Sequence, residues 1–321
     1  MVQIILIGVG AGAAAALLFA SIATGSTLSI ALVYVAPLPI LIASIGWSHW
    51  AGLLAALFST ASLSTLISAN STLLYLVSVA VPAWWLGYLA MLARPGEKQG
   101  ELEWYPIGRL VLWTAALTAG GLVIAYYALD LDRVERTARA ALERFFRARM
   151  GTPAEAPLDI PGMSDGGAFL DALAAMAMPI AAASGTLSLL VNLWLGGRAV
   201  LLSGRLKRPW PVLMAMRFPA ATAAATLALT LLSFFPDLGA VGKIATIFTA
   251  ALLIAYGMLG LAVLHAVTLG VGARPLLLGA VYAIIIMAGW PLLFASALGL
   301  ADTAFNFRAL AARRGPPTLP A

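Results

Sequence analysis

The first 93 residues contain no Asp, Glu, Lys or Arg. A stretch that long without charge has nothing with which to cover a water-facing surface, so it cannot close into a soluble globule. The rest of the chain agrees. Only 10% of its 321 residues are charged and its mean hydropathy is +0.97, where soluble domains carry about 25% charged residues. The expected fold is therefore all-α: a polytopic transmembrane helical protein.

A membrane helix needs roughly 20 apolar residues. Nine segments qualify as candidate spans: 4–22, 28–47, 50–67, 72–92, 107–129, 172–195, 218–235, 244–269 and 276–300. Tight links at Thr24-Gly25-Ser26, Ser48-His49 and Ala69-Asn70-Ser71 force antiparallel neighbours among the early spans. The start of the chain lacks the basic region of a cleaved signal peptide and reads as the first retained span. The expected organisation is a five-span unit (1–129), an extramembrane segment (130–167), a second membrane unit (168–300) and a polar tail (301–321).

The extramembrane segment has helical periodicity. Leu131, Val134, Ala138, Leu142 and Phe145 form one stripe. Asp132–Arg136, Glu135–Arg139 and Glu143–Arg147 are spaced for i,i+4 ion pairs. Two readings fit: an amphipathic helix at the membrane surface, or a lid or partner-binding helix.

A formal charge of +6 invites a nucleic-acid reading, but enrichment of Lys and Arg in cytoplasmic loops explains it without any such partner. The expected partner is the lipid bilayer, and no nucleic acid is expected. Arg198, Arg205, Lys207, Arg208 and Arg217 form the most strongly basic loop, which places it in the cytoplasm. Counting back puts 130–171 outside, with 94–103 and the N-terminus inside. Counting forward through nine spans puts Arg308, Arg313 and Arg314 outside, against the bias. Either the bias fails there, or Trp290-Pro291 breaks the last segment into two short arms. Eight or nine crossings are expected. Within the basic loop, Trp210 suits the headgroup level, Pro209 and Pro211 hold the chain extended, and Arg217-Phe218-Pro219 marks a helix entry. The loop reads as a membrane hinge.

Arg217, Phe218 and Pro219 after a basic loop resemble a motif of the YybS-like family of predicted bacterial membrane proteins. The tail LGLADTAFNFRAL, with Gly299, Asp302, Phe305, Phe307 and Arg308, resembles that family's last span, and Pro37-Leu38-Pro39 its second. The resemblance covers nearly the whole chain through short motifs. It implies a bacterial inner-membrane location. Through the family's distant similarity to S-components of energy-coupling-factor transporters, it also implies a helical bundle that encloses a small ligand. In such components, small residues on the first helix dock a transmembrane coupling subunit. Gly8, Gly12, Ala16 and Ala20 form a ridge of that kind. This chain is two or three spans longer than a six-helix S-component, and Ser48-His49-Trp50 stands where basic residues are expected.

Charge inside a bilayer is costly, so an ionisable group in mid-span points to function. Arg109, Asp171, Lys243 and Asp302 all fall near span ends. With no cysteine and only His49 and His265, a dedicated metal site is not expected; nor is a cofactor. His265 is expected to hydrogen-bond a neighbouring helix as a neutral side chain. No nucleophile–base motif occurs, and the Gly8–Gly12 glycines lie in a span with no preceding strand, so no enzymatic role is expected. The polar groups left inside are hydroxyls, amides and indoles. Thr60, Ser64 and Ser68 recur every four residues, joined by Trp84, Trp85 and Asn192 as candidate ligands for a neutral ring-bearing molecule; interhelical packing would use the same groups. The expected function is a small-molecule binding or uptake component. The alternative is a non-enzymatic membrane partner or assembly factor.

Overall fold

The computed structural model describes residues 1–98, 100–129, 132–153, 160 and 162–309. These residues form fourteen α-helices and one short antiparallel hairpin, in which Ala93–Pro95 pairs with Leu102–Trp104. Six helical segments are long and apolar enough to cross a membrane: Val2–Thr24, Thr27–Gly46, Ala69–Ala90, Ile107–Ala128, Gly166–Leu202 and Ala240–Val267. The protein is an all-α, multi-pass membrane protein.

Helices α1 (Val2–Ala20) and α4 (His49–Leu66) lie alongside each other in the same direction. Gly8 faces Ala51 and Leu54, and one turn later Gly12 faces Ala55 and Phe58. A methyl group on Gly12 would stand 2.7 Å from the Ala55 carbonyl oxygen. This corrects the expectation of an external docking ridge. Gly8, Gly12 and Ala16 are buried and Ala20 half-buried, because close backbone approach within the chain already uses them.

The second span is two helices, α2 (Thr27–Val35) and α3 (Pro37–Gly46). Pro37 and Pro39 have no N–H to offer the carbonyls of Val33 and Val35, which opens the ladder at Ala36. The Tyr34 carbonyl between them accepts from Asn192 Nδ2 (2.7 Å) and Ser188 Oγ (2.8 Å). The fourth span is likewise interrupted. Between α5 (Ala69–Tyr75) and α6 (Val81–Ala90), residues Leu76–Ala80 widen into a π-helical turn, just before Pro82 removes a donor from the ladder. Helix α7 (Ile107–Leu129) is continuous.

Beyond α7, α8 (Asp132–Met150) packs on α9 (Gly166–Ala175). The inward face differs from the expected stripe. Phe146 meets the Phe169 ring at 6.1 Å, while Phe145 points outward at 62% exposure. Glu143 pairs with both Arg139 and Arg147, Arg139 also reaches Asp171, and Glu135 turns to Lys243. Leu131 and the side chains of Asp132 and Val134 lie outside the described residues.

The second half of the bundle holds α10 (Ala177–Leu202), α11 (Ala220–Ser233), α12 (Ala240–Val267), α13 (Arg274–Ala288) and α14 (Leu292–Phe305). Helices α11, α13 and α14 have 14 or 15 residues, about 21 Å, against the roughly 30 Å of a hydrocarbon core. Helix α11 is short because the chain before it, with Pro209, Pro211 and Pro219, runs extended.

Helices α13 and α14 correspond to one of the two alternatives left open at Trp290-Pro291, a segment broken into two short arms, here folded into a hairpin. Gly289 turns the chain at φ +71° and Pro291 starts the return. His265 Nε2 lies 2.8 Å from Tyr282 Oη, and an Arg274 N–H donates toward His265 Nδ1 (3.4 Å), so the neutral ring donates from Nε2. Helix α13 therefore runs back along α12. Helix α14 then returns in α12's own direction: Ser296 Oγ donates to Leu253 O (2.6 Å), and Gly299 packs on Tyr256 and Gly260. The hairpin runs about 15 Å back along α12 and returns toward the same end of the bundle.

Candidate functional site: an apolar cavity behind a basic strap

Between the two halves of the bundle lies a half-open cavity of about 380 Å³. Its walls come from the ends of α3 and α6 (Ile45, Ala90), the start of α7 (Leu110, Val111), and the α10 face from Leu187 to Gly197. Met258 of α12 also contributes. The last wall is the segment after α10: Leu206, Arg208, Trp210, Pro211 and Leu213 all line it. The basic loop is therefore more than a hinge. It is a strap packed across the end of the bundle.

The strap is anchored at both ends. At its start, the Arg198 guanidinium lies over the Trp210 ring (5.2 Å) and that of Arg205 over Trp47 (4.6 Å). At its far end two motifs singled out in the sequence meet. Arg308 clasps the buried Asp302 through Nη2 (2.7 Å) and Nε (3.0 Å), and Nη1 donates to the carbonyls of Met214 (2.9 Å) and Met216. Asn306, in the left-handed conformation at φ +51°, turns the chain so that Arg308 can reach back. Phe218 stacks edge-on against Tyr256 at 5.0 Å. A methyl group on Gly108 would collide with the Arg217 carbonyl at 1.9 Å, so α7 can begin there only with glycine. Pro219 sits at the N-cap of α11. Of the remaining motif residues, Gly299 is buried against α12, Phe305 is exposed and Phe307 stacks on Phe305 at 5.9 Å. These residues hold backbone whose carbonyls no helix would satisfy, the condition for non-helical chain inside a membrane bundle.

Arg208 is the single charged residue of the cavity wall. Its Nη1 donates to the Ala90 carbonyl at the end of α6 (2.8 Å) and its Nη2 to the Tyr105 carbonyl (3.4 Å). The guanidinium also lies 5.9 Å from the Trp104 ring centre. Its Nε is buried without an acceptor, and among the described residues no carboxylate pairs with it. Burial holds its pKa below the usual guanidinium range, but Arg in proteins stays charged.

The six residues expected to bind a ligand do not converge, and none lines this cavity. Thr60 and Ser64 return their hydroxyls to their own helix, at Ala56 O and Ala61 O (2.8 Å each). Ser68 caps α5 through the Ser71 N–H (3.3 Å). Trp84 and Trp85 join an aromatic cluster, Trp85 lying 5.7 Å from Trp113, and their indole N–H groups are buried without acceptors. Asn192 mends the Pro37 break. These are mostly local hydrogen bonds, which a Ser or Thr inside a helix makes readily. The signal for the cavity lay instead in Arg208-Pro209-Trp210-Pro211, where a cation and an indole share a segment too rich in proline to be helical.

Compared with known proteins, the chain matches no family model, no curated protein and no solved structure.

Proposed function

We propose that the protein is a non-enzymatic, small-molecule-binding component of an uptake system in a bacterial inner membrane, working in the manner of the S-components it resembles. One observation carries this reading: the cavity of about 380 Å³ at the junction of two helical units. Small-molecule sites occupy roughly 300–1,000 Å³, are mostly apolar and carry few polar groups. The ligand is assigned to this cavity in place of the Thr60–Asn192 set. A wall with one ionisable side chain, Arg208, has no acid–base pair with which to run chemistry, which favours binding. Eight crossings and a re-entrant hairpin, with the strap on the cytoplasmic side, complete the proposal. No coupling subunit is placed on the Gly8–Ala20 ridge.

The test is native mass spectrometry of the protein released gently from its host membranes, beside a Val191→Trp variant that fills the cavity. The expected result is a reproducible small adduct on the wild type, lost on activation and missing from the variant. A protein adduct without any small one would replace this reading with that of an assembly factor.

A further inference from the structure

We infer that the cavity takes uncharged hydrocarbon and receives it sideways, from the bilayer rather than from water. This rests on the binding role proposed above and names the class of ligand. Arg208 is committed to structure. Its terminal nitrogens donate to Ala90 O and Tyr105 O and its guanidinium lies by the Trp104 ring, so it holds the strap to α6 and to the hairpin that precedes α7. The rest of the lining is aliphatic and thioether side chains, one glycine, one proline and the rings of Trp194 and Trp210. An ionised ligand would lose its water there and gain no counter-charge. A hydrocarbon loses nothing of the kind. Lipid tails are as apolar as this wall, so its preference for the cavity over the bilayer comes from closer packing rather than from the hydrophobic effect.

The open side of the cavity has a definite place along the span. Four lining residues are exposed, Leu187, Val191, Trp194 and Leu213, and all four are apolar. The first three are spaced i, i+4 and i+7, which puts them on one stripe of α10. Leu187 is ten residues from the start of α10 and Trp194 eight from its end, about 15 and 12 Å. The stripe therefore occupies the middle of α10, which belongs to the membrane-length segment Gly166–Leu202. That is the depth at which a crossing helix meets lipid tails. The end of the cavity beyond Trp194 is covered. There the strap crosses, with the Trp210 ring beside Gly197 and Arg208 pinned to Ala90. A molecule dissolved in the bilayer reaches the stripe directly, whereas one arriving at the strap end meets packed chain.

The experiment uses the full chain in phosphatidylcholine nanodiscs, with empty discs subtracted. Radiolabelled dodecylbenzene, dodecanoate and dodecyltrimethylammonium are bound at equilibrium, each affinity being taken relative to the probe's mole fraction in the disc lipid. In a second arm the lipid carries a diazirine in mid-tail, and cross-linked residues are mapped by mass spectrometry. Dodecylbenzene is expected to bind at least about tenfold more tightly than either ion. Tail cross-links are expected at Leu187, Val191 and Trp194, and those at Val191 to fall as dodecylbenzene is added. Val191→Trp and Leu187→Trp, one turn apart, are each expected to remove dodecylbenzene binding; if one fails to fold, the other decides. Equal or tighter binding of either ion, lost in the variants, overturns the hydrocarbon assignment and leaves the binding role intact. Absence of tail cross-links along the stripe overturns the sideways route. Tail cross-links with none of the three probes bound keep hydrocarbon in the cavity, as the tail of a membrane lipid, and overturn the binding role. Dodecylbenzene binding that survives both variants overturns both.

Discussion

Removing Arg308 should release the strap. Asp302 is 3% exposed and the Arg308 side chain 11%, so the pair is largely withdrawn from water. Arg308→Ala leaves a buried carboxylate without its counter-ion and deprives the Met214 and Met216 carbonyls of their donor. Breaking one half of a buried pair costs about 3–5 kcal/mol. Here the cost falls on the strap and the end of α14, because both helices of the hairpin keep their packing on α12. The chain has no cysteine, so a single reporter can be introduced. Met216 is 5% exposed, and Met216→Cys should react slowly with a maleimide in the parent. At about 3 kcal/mol of local destabilisation, the open population rises on the order of a hundredfold and the labelling rate should rise with it. Asp302→Leu combined with Arg308→Met should recover part of the loss, since no charge is left buried, but not all of it, since the two carbonyls stay unbonded. A labelling rate unchanged by Arg308→Ala would refute the clamp, and full recovery in the double variant would refute the role given to the carbonyls.

Three further outcomes are expected. Gly12→Leu should cost at least about 1–3 kcal/mol by overpacking the α1–α4 contact, whereas Gly10→Leu, which meets nothing within 4 Å, should be tolerated; equal melting temperatures for the two would remove the argument. Glu143 has its pKa lowered, first by the hydrogen bond from Arg147 and then by the charges of Arg147 and Arg139. A lowered carboxylate contributes stability above its unfolded pKa and loses it as pH falls through the folded value; both partners, Arg139 and Arg147, lie on α8, so the helicity of α8 should fall in acid. Circular dichroism should show an acid-induced loss of helix in the parent that Glu143→Gln reduces, and an identical acid profile in the two would refute it. Reporter fusions after Arg308 and within 94–103 should report the same side of the membrane; opposite sides would mean that 274–305 crosses once and that the hairpin is wrong.

Most helices were legible because their cause is local. The candidate span 107–129 coincides with Ile107–Leu129, and the break at Trp290-Pro291 was visible from the proline itself. What could not be read was which unsatisfied group meets which donor. Asn192 and Tyr34 are 158 residues apart, and neither the amide nor the kinked carbonyl announces the other. The same blindness applies to the expected ligand set. Thr60, Ser64 and Ser68 show helical spacing, yet spacing says nothing about whether a hydroxyl faces a ligand or its own backbone. The Gly8–Ala20 ridge reads as a docking surface for a partner, but the helix that approaches Gly8 and Gly12 is α4 of the same chain.

The two discontinuous elements need each other. A helix that starts late, as α11 does after the strap, leaves free carbonyls inside the bundle, and a hairpin that turns back, as α13–α14 does, leaves a chain end on the same face. Arg308 joins these two defects, its guanidinium satisfying the carbonyls of one while Asp302 of the other balances its charge. A continuous helix through 205–233 would need no such clasp, but it would also not lay Leu206, Trp210 and Leu213 across the end of the bundle. The irregular backbone is what makes the cavity wall, and the buried ion pair makes the irregular backbone tolerable. Discontinuous segments packed around a site recur in secondary transporters for this reason. Here they lay the strap residues Leu206, Trp210 and Leu213 along one wall of an apolar cavity.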